Sequence, residues 1–450
     1  MSKLEDTFKK YPKILQPNLE MKTPNENVVF HEGSFKLKWK ELLIELTGKI
    51  VFKWLPDLAV KIYGNFPEDK FDSSIFNPFE TNLVFEIEVK EKQFYSKGIL
   101  QNISTEKGKY NVIGHLRPPI TFGNLEKNVE AVYFELSNLR YFHGQPVRNE
   151  NTAYKNRLIF CNKKYKITLD KYPDYEKRNH ELNEKGGFIL LYSGKLEALE
   201  KKNISYEESV DVLDSFSYFL QFLNGRRTSP IFRYGKSGEK EVWKSIIPYF
   251  VDKYKYVITW PAKFKIDGLS ETWLKFSDLW ENESDRECIK TVLHWYVEAN
   301  SNAAFIEGSI VLIQNALELL FHWLIAEKKN YVNTSDADIL SASAKIGFLL
   351  SNYNIKSEIP KELEDLKSFA KQYGISSGPD SFIRIRNCIV HPSKKKRKTL
   401  KEIEDNAKVE ALNLGVWYVE VILLKHFKFK GNIQNRFAIF SQINDPVEVE

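Results

Sequence analysis

A chain of 450 residues has room for two or three domains, and its 42% hydrophobic and 14% aromatic content argues against disorder over most of its length. The formal net charge of +6 is modest for this size: it is compatible with a polyanionic partner and insufficient to identify one. The three cysteines, Cys161, Cys288 and Cys388, lie too far apart for a disulfide framework or a CxxC metal site. No secretory apolar stretch follows the N-terminus MSKLEDTFKK, and no run of about 18 uncharged apolar residues occurs. A reducing, cytoplasmic setting with no membrane contact is therefore expected.

Residues 28–200 read mostly as strands. Val28 to Trp39 alternates apolar and polar, and so do Asn82 to Val89, Ala131 to Leu136 and Arg157 to Leu169. Gly33, Gly48, Gly64-Asn65, Gly114, Gly123-Asn124 and Gly144 read as turn punctuation between them. The pattern predicts a β-rich unit, a sandwich or barrel-like domain, over 1–203.

The period changes near residue 205. Ser205 caps a helix through Leu213, Phe216, Leu220 and Leu223 to Gly225, with Glu208 placed for a capping box. Asn224-Gly225-Arg226-Arg227 reads as a helix stop with solvated arginines. His143-Gly144-Gln145-Pro146 reads as a turn. Residues 204–283 are a helical, aromatic-rich connector whose tryptophans, Trp243 to Trp280, suit packing rather than a ligand cage.

From 284 to 430 the chain reads as an all-α bundle, giving an α+β class overall. Helices are expected at 285–299, 303–327, 335–350, 360–374, 380–391 and 400–426, with Pro392 stopping the fifth. The second is apolar on most sides and should be central. It carries one polar stripe, Gln314, Glu318 and His322. The tail, 431–450, reads as a last strand or an extended arm.

The fifth helix carries the chemistry. At about 100° per residue, Arg384, Asn387 and His391 fall in one narrow sector, and His391 ends the helix. An imidazole there suits a general acid or base. Arg386 points about 140° away, among Phe382, Ile389 and Val390. A guanidinium on an apolar face needs a partner. Glu318 is the candidate; the alternative is that Arg386 curls toward the pocket of His391. Five cations follow, Lys394, Lys395, Lys396, Arg397 and Lys398, and read as a phosphate-binding loop.

An Arg followed by a polar residue and, a few residues on, a His at a helix end is the signature of HEPN ribonucleases. Arg386-Asn387, three residues and His391 match its RNxxxH form, and Gln314 to Glu318 resembles the family's acidic-residue helix. The motif match covers residues around 305–395. A β-rich first half ahead of such a bundle resembles ApeA-type antiphage proteins.

The resemblance implies a metal-independent endoribonuclease of abortive infection, with no cofactor. Its substrate would be RNA, with tRNA loops as a reasonable target. His391 would be the base or acid, Arg386 would stabilise the transition state, and Asn387 would orient His391 or a phosphate oxygen. Glu318 and Arg384 would support them. One motif per chain implies a homodimer through the bundle. The N-terminal part would sense a phage protein trigger or restrain the activity. A non-catalytic HEPN module that dimerises or binds nucleotides is the alternative. A DNA-directed nuclease is disfavoured, because no carboxylate cluster for metal ions is visible in the sequence.

Overall fold

A computed structural model describes residues 9–39, 42–67, 84–106, 108–149, 152–200, 202–247, 251–262, 268–301, 305–391, 393–438 and 447–449. The fold is α+β: two sheets over residues 28–246 precede a helical region over 269–426. Asn82, Leu83, Ala303 and Pro392, each used in the sequence reading, lie outside the described residues.

Six antiparallel strands close a barrel: β1 (Val28–Trp39), β2 (Leu42–Lys53), β3 (Ala59–Pro67), β4 (Val84–Val89), β5 (Phe94–Glu106) and β6 (Lys109–Leu116), in the order β1-β2-β3-β6-β5-β4. Three glycines read as turns lie inside these strands: Gly48 in β2, Gly64 in β3 and Gly114 in β6. Gly33 likewise sits within β1. A side chain on Gly48 would collide with the Tyr63 carbonyl across the pair. One on Gly114 would bring its Cβ within 2.6 Å of the Phe85 ring, which fills the barrel interior.

The second sheet has eight strands. They are β7 (Ile120–Gly123), β8 (Ala131–Ser137), β9 (Gln145–Arg148), β10 (Ala153–Cys161), β11 (Tyr165–Lys171), β12 (Leu190–Ala198), β13 (Pro230–Ser237) and β14 (Lys240–Ile246), in the order β7-β14-β13-β8-β12-β11-β10-β9. The hairpin β13–β14 comes from the aromatic-rich connector, so the sheet extends past the boundary at 203 that the sequence suggests. Asn162, Lys163 and Lys164 turn β10 into β11. Helix α1 (Tyr175–Lys185) bridges β11 and β12, and α2 (Tyr206–Asn224) follows β12. Ser205 caps α2 with the expected capping box, and Gly225 ends it in the left-handed conformation.

Core packs against both faces of this sheet. Ile231, Phe232 and Leu190 join the barrel interior, where the Phe232 ring lies 5.0 Å from Phe52 and Phe188 stacks on Trp54 at 5.2 Å. On the other face Phe134, Phe160 and Leu169 meet Leu213, Phe216 and Leu220 of α2. That core runs on through Trp273 into the bundle. The four tryptophans from Trp243 to Trp280 are buried, as their composition suggests. The extended N-terminal segment straps the sheet. Arg148 Nε donates to the Tyr11 carbonyl, Leu15 N–H to Asp170, Asn18 N–H to Glu135, and Arg178 Nη1 to the Met21 carbonyl.

The helical region comprises α3 (Leu269–Trp280), α4 (Glu283–Asn300), α5 (Phe305–Phe321), α6 (Thr334–Ile339), α7 (Ala342–Asn352), α8 (Glu364–Gln372), α9 (Gly378–Val390), α10 (Lys394–Glu402) and α11 (Asp405–His426). The helix expected at 335–350 is two, α6 and α7, because Ser341 breaks and recaps it: its hydroxyl accepts from Ala344 N–H at 3.2 Å. The expected loop at 394–398 is the first part of α10. The helix expected from Pro360 begins at Glu364, after a turn closed by Leu363 N–H onto the Pro360 carbonyl.

Helix α5 is central, packing against α4, α7, α9 and α11, and it continues as a wider π-helical segment over His322–Glu327. Among the described residues Phe305–Glu327 is the one helix long and apolar enough to cross a membrane, and 67% of its apolar window is buried inside the protein. The tail pairs β15 (Gly431–Ile433) with β16 (Val447–Val449).

A candidate nuclease site on the bundle

Helix α9 starts where the sequence supplies a cap. The Ser377 hydroxyl accepts from Asp380 N–H at 3.1 Å, Pro379 occupies the first turn, and Asp380 sits at the positive end of the helix dipole. Phe382, Ile385 and Cys388 form the buried face, and Phe382 packs where Gly415 of α11 leaves room for its ring. The opposite side carries the motif. His391 is the exposed C-cap, its N–H on the Asn387 carbonyl at 3.3 Å. Arg384 is exposed and lies over the Tyr373 ring at 5.3 Å.

Arg386 bends over its helix neighbour Asn387. It is half-buried, and its Nη1 donates to Asn387 Oδ1 at 3.2 Å. A guanidinium is long enough to curl from its own helical position over its neighbour. The Asn387 side-chain oxygen therefore holds Arg386. Arg386 Nε–H is buried with no acceptor among the described residues.

Glu318 is not the partner of Arg386. Its Oε1 accepts from Lys345 Nζ of α7 at 2.9 Å, and its Oε2 from Gln314 Nε2 at 2.5 Å. Lys345 Nζ also donates to His322 Nε2 at 3.2 Å. The stripe Gln314–Glu318–His322 is thus a single cluster around a buried lysine. Burial pushes the Glu318 carboxyl up, but Lys345, Gln314 and His322 outweigh it and hold it below the usual carboxylate range. Lys345 escaped the sequence reading. The signal was a lone lysine in the apolar turn Ala344-Lys345-Ile346, where a buried ammonium demands a carboxylate. Glu318→Ala should leave that ammonium unpaired and cost about 1–3 kcal/mol. Urea unfolding with and without the substitution measures the difference.

The cationic run is a helix, because Ser393 caps it onto Lys396 N–H. Lys394, Lys395, Lys396 and Arg397 occupy its first turns, Lys398 lies 3.8 Å from Glu402, and no residue of α10 is buried. Four cations therefore gather at the positive end of a helix dipole, an arrangement that destabilises the helix and that an anion docked there would relieve.

Two further arginines depart from the sequence reading. Arg226, expected in solvent, is 6% exposed, and half-buried Arg227 is paired with Asp252 and Glu298. The segment 251–260 folds over them, which no local pattern announces. His143 and Gly144 end the link from β8 to β9, but Gln145 and Pro146, read with them as a turn, are the first residues of β9.

Residues 124–257 match the family model described as the YopA central domain, and residues 282–448 match the one described as the YopA C-terminal domain. The first covers most of the eight-stranded sheet with α1 and α2, the second the bundle and tail. No solved structure matches. Among curated proteins the chain is 24% identical over 421 residues to an SPbeta prophage-derived uncharacterized protein, YopA, of Bacillus subtilis (strain 168). The similarity spans 92% of this chain and 93% of that protein, so it covers barrel, sheet and bundle together.

Proposed function

We propose that the bundle is a metal-independent endoribonuclease of HEPN type, resembling ApeA-type antiphage proteins. The observation that carries this reading is the juxtaposition at one helix end of a hydrogen-bonded Arg386–Asn387 pair, an exposed His391 and the cationic helix α10. His391 takes the proton of an RNA 2′-OH. The freed oxygen bonds to the adjacent phosphorus, the bond to the 5′-oxygen breaks, and that oxygen leaves protonated. Arg386, with unused donors, meets charge developing on the phosphate oxygens. Lys394 to Lys398 hold the flanking backbone, and the products are a 2′,3′-cyclic phosphate and a 5′-hydroxyl. A homodimer brings two such helix ends together. The β-rich half restrains the enzyme or receives a phage trigger, in the cytoplasm. A prophage-derived relative fits a role in contests between phages.

Purified protein should cut RNA, tRNA included, in EDTA. His391→Ala should lower the rate by about 10²–10⁴-fold, and a 2′-deoxy substitution at the cut site should abolish cleavage. Undiminished cutting by both His391→Ala and Arg386→Ala would sink the assignment.

One observation favours a second reading, a non-catalytic dimerisation or nucleotide-binding bundle. Among the described residues no side chain hydrogen-bonds the His391 ring to orient it. A dimer whose interface leaves the two His391 residues far apart, together with absence of cleavage, selects that reading.

A further inference from the structure

A cavity of about 320 Å³ lies where the sheet meets the bundle. Its wall comes from the loop after β8, the C-terminal end of α2 with α1 beside it, the covering segment 254–259, and Gln434 just after β15. Arg140, Arg226, Tyr141, Tyr175, Tyr254 and Tyr256 line it, and no described carboxylate does. The volume falls within the range of small-molecule sites, about 300–1,000 Å³.

Neither arginine in this wall has a carboxylate bonded to it among the described residues. Arg226 is 6% exposed; its Nη2 donates to the Asn138 carbonyl at 2.8 Å and its Nη1 to the Lys255 carbonyl. Its Nε–H is buried with no acceptor among the described residues. Asp252, whose charge acts on Arg226, is bonded to Arg227. Arg140 is partly buried. Its guanidinium lies over the Phe142 ring at 5.8 Å and has no carboxylate or carbonyl partner among the described residues. Burial lowers the pKa of both arginines, that of Arg226 to about 10. Two guanidinium groups drawn out of water with no carboxylate of their own are costly, and a bound anion would offset that cost. Arginine forks suit phosphate oxygens.

The tyrosines narrow the choice of anion. Tyr254 stacks on Arg226 at 4.6 Å, with its hydroxyl held by Asn183. Tyr256 stands 74% exposed, a large π-face on which a heterocycle can stack. We propose that this cavity binds a free nucleotide, with its phosphates on Arg140 and Arg226 and its base against Tyr256. The bundle stands behind the cavity wall: Asn300 of α4 donates to the carbonyls of Ile258, which lines the cavity, and of Gly225, next to Arg226. An occupant therefore braces the contact between sheet and bundle. This site is separate from His391, and the inference does not rest on the nuclease reading.

The test uses the full chain without RNA. Thermal melting and calorimetric titration are run with adenine and guanine mono-, di- and triphosphates, the matching nucleosides, inorganic phosphate, pyrophosphate and a single-stranded oligonucleotide. At least one nucleotide should bind saturably and raise the melting temperature, while its nucleoside should not. Arg140→Met should weaken that binding at least tenfold without lowering the melting temperature of the empty protein. The exposed Tyr256→Ala should weaken it severalfold while leaving phosphate binding unchanged. The proposal is overturned if no nucleotide binds, if Arg140→Met binds as well as the parent, if phosphate or pyrophosphate alone gives the full effect, or if only the oligonucleotide binds.

Discussion

Arg436→Met is expected to destabilise the protein by about 3–5 kcal/mol, because it strands a buried carboxylate. Glu420 of α11 is 1% exposed and Arg436 of the tail 3%. The guanidinium grips it with two bonds, Nη2 to Oε1 at 2.5 Å and Nε to Oε2 at 3.1 Å. Tyr296 Oη donates to the same carboxylate at 2.7 Å, while Arg436 Nη1 and Nη2 reach Asn300 Oδ1 and the Ile258 carbonyl. Burial opposes the charge on Arg436, but Glu420 outweighs it and holds the guanidinium above its ordinary range. Removing both charges is a different experiment. Glu420→Leu with Arg436→Met leaves no uncompensated ion and should recover at least half the loss. Urea unfolding followed by fluorescence of the buried tryptophans compares the two variants with the parent. A double variant no more stable than Arg436→Met would refute the expected recovery.

Glu135→Gln should remove a pH dependence worth about 3 kcal/mol between pH 4.5 and 7. Glu135 sits in β8 with no solvent exposure, and burial raises its pKa to about 7 despite its hydrogen-bond contacts with Asn18, Ser193 and Tyr172. Hydrogen counting supports a neutral group. Tyr172 has one hydroxyl hydrogen but lies 2.6 Å from the Leu19 carbonyl and 2.9 Å from Glu135 Oε2. A protonated Glu135 donating to Tyr172, which donates to Leu19, satisfies both contacts. The sign follows. Between pH 4.5 and 7 the folded state holds a proton that the unfolded state has released. Stability from this residue is full below pH 4.5 and is lost as pH rises toward 7. Glutamine keeps the neutral shape, so the variant should match the parent near pH 4.5 and exceed it at pH 8. A parent no less stable at pH 8 than at pH 5, relative to Glu135→Gln, would refute this.

Local signals in the sequence were legible where local physics decides. The capping box of Ser205 and Glu208, the alternation of Val28–Trp39 and the apolar girth of α5 all led to the observed elements. Misreadings arose where a distant segment decides. Gly48 and Gly114 read as turns because their need for a missing Cβ comes from the Tyr63 carbonyl and the Phe85 ring. Arg226 read as solvated because residues 251–260 bury it from 25 or more positions away in the chain. At the bundle site, the helix wheel placed Arg384, Asn387 and His391 together on a surface face. It could not foresee that Arg386 would bend to Asn387, or that Lys345 would claim Glu318.

The eight-stranded sheet has a consequence for how such a gene can change. Antiparallel sheets commonly keep one wet face. Here Phe232 belongs to the barrel interior and Phe134 to the core shared with α2 and the bundle, so the sheet is a party wall with a tenant on each side. Neither neighbour can be exchanged for an unrelated module without baring an oily surface. Barrel, wall and bundle are therefore expected to be inherited together, and the similarity to the relative from Bacillus subtilis runs through all three parts.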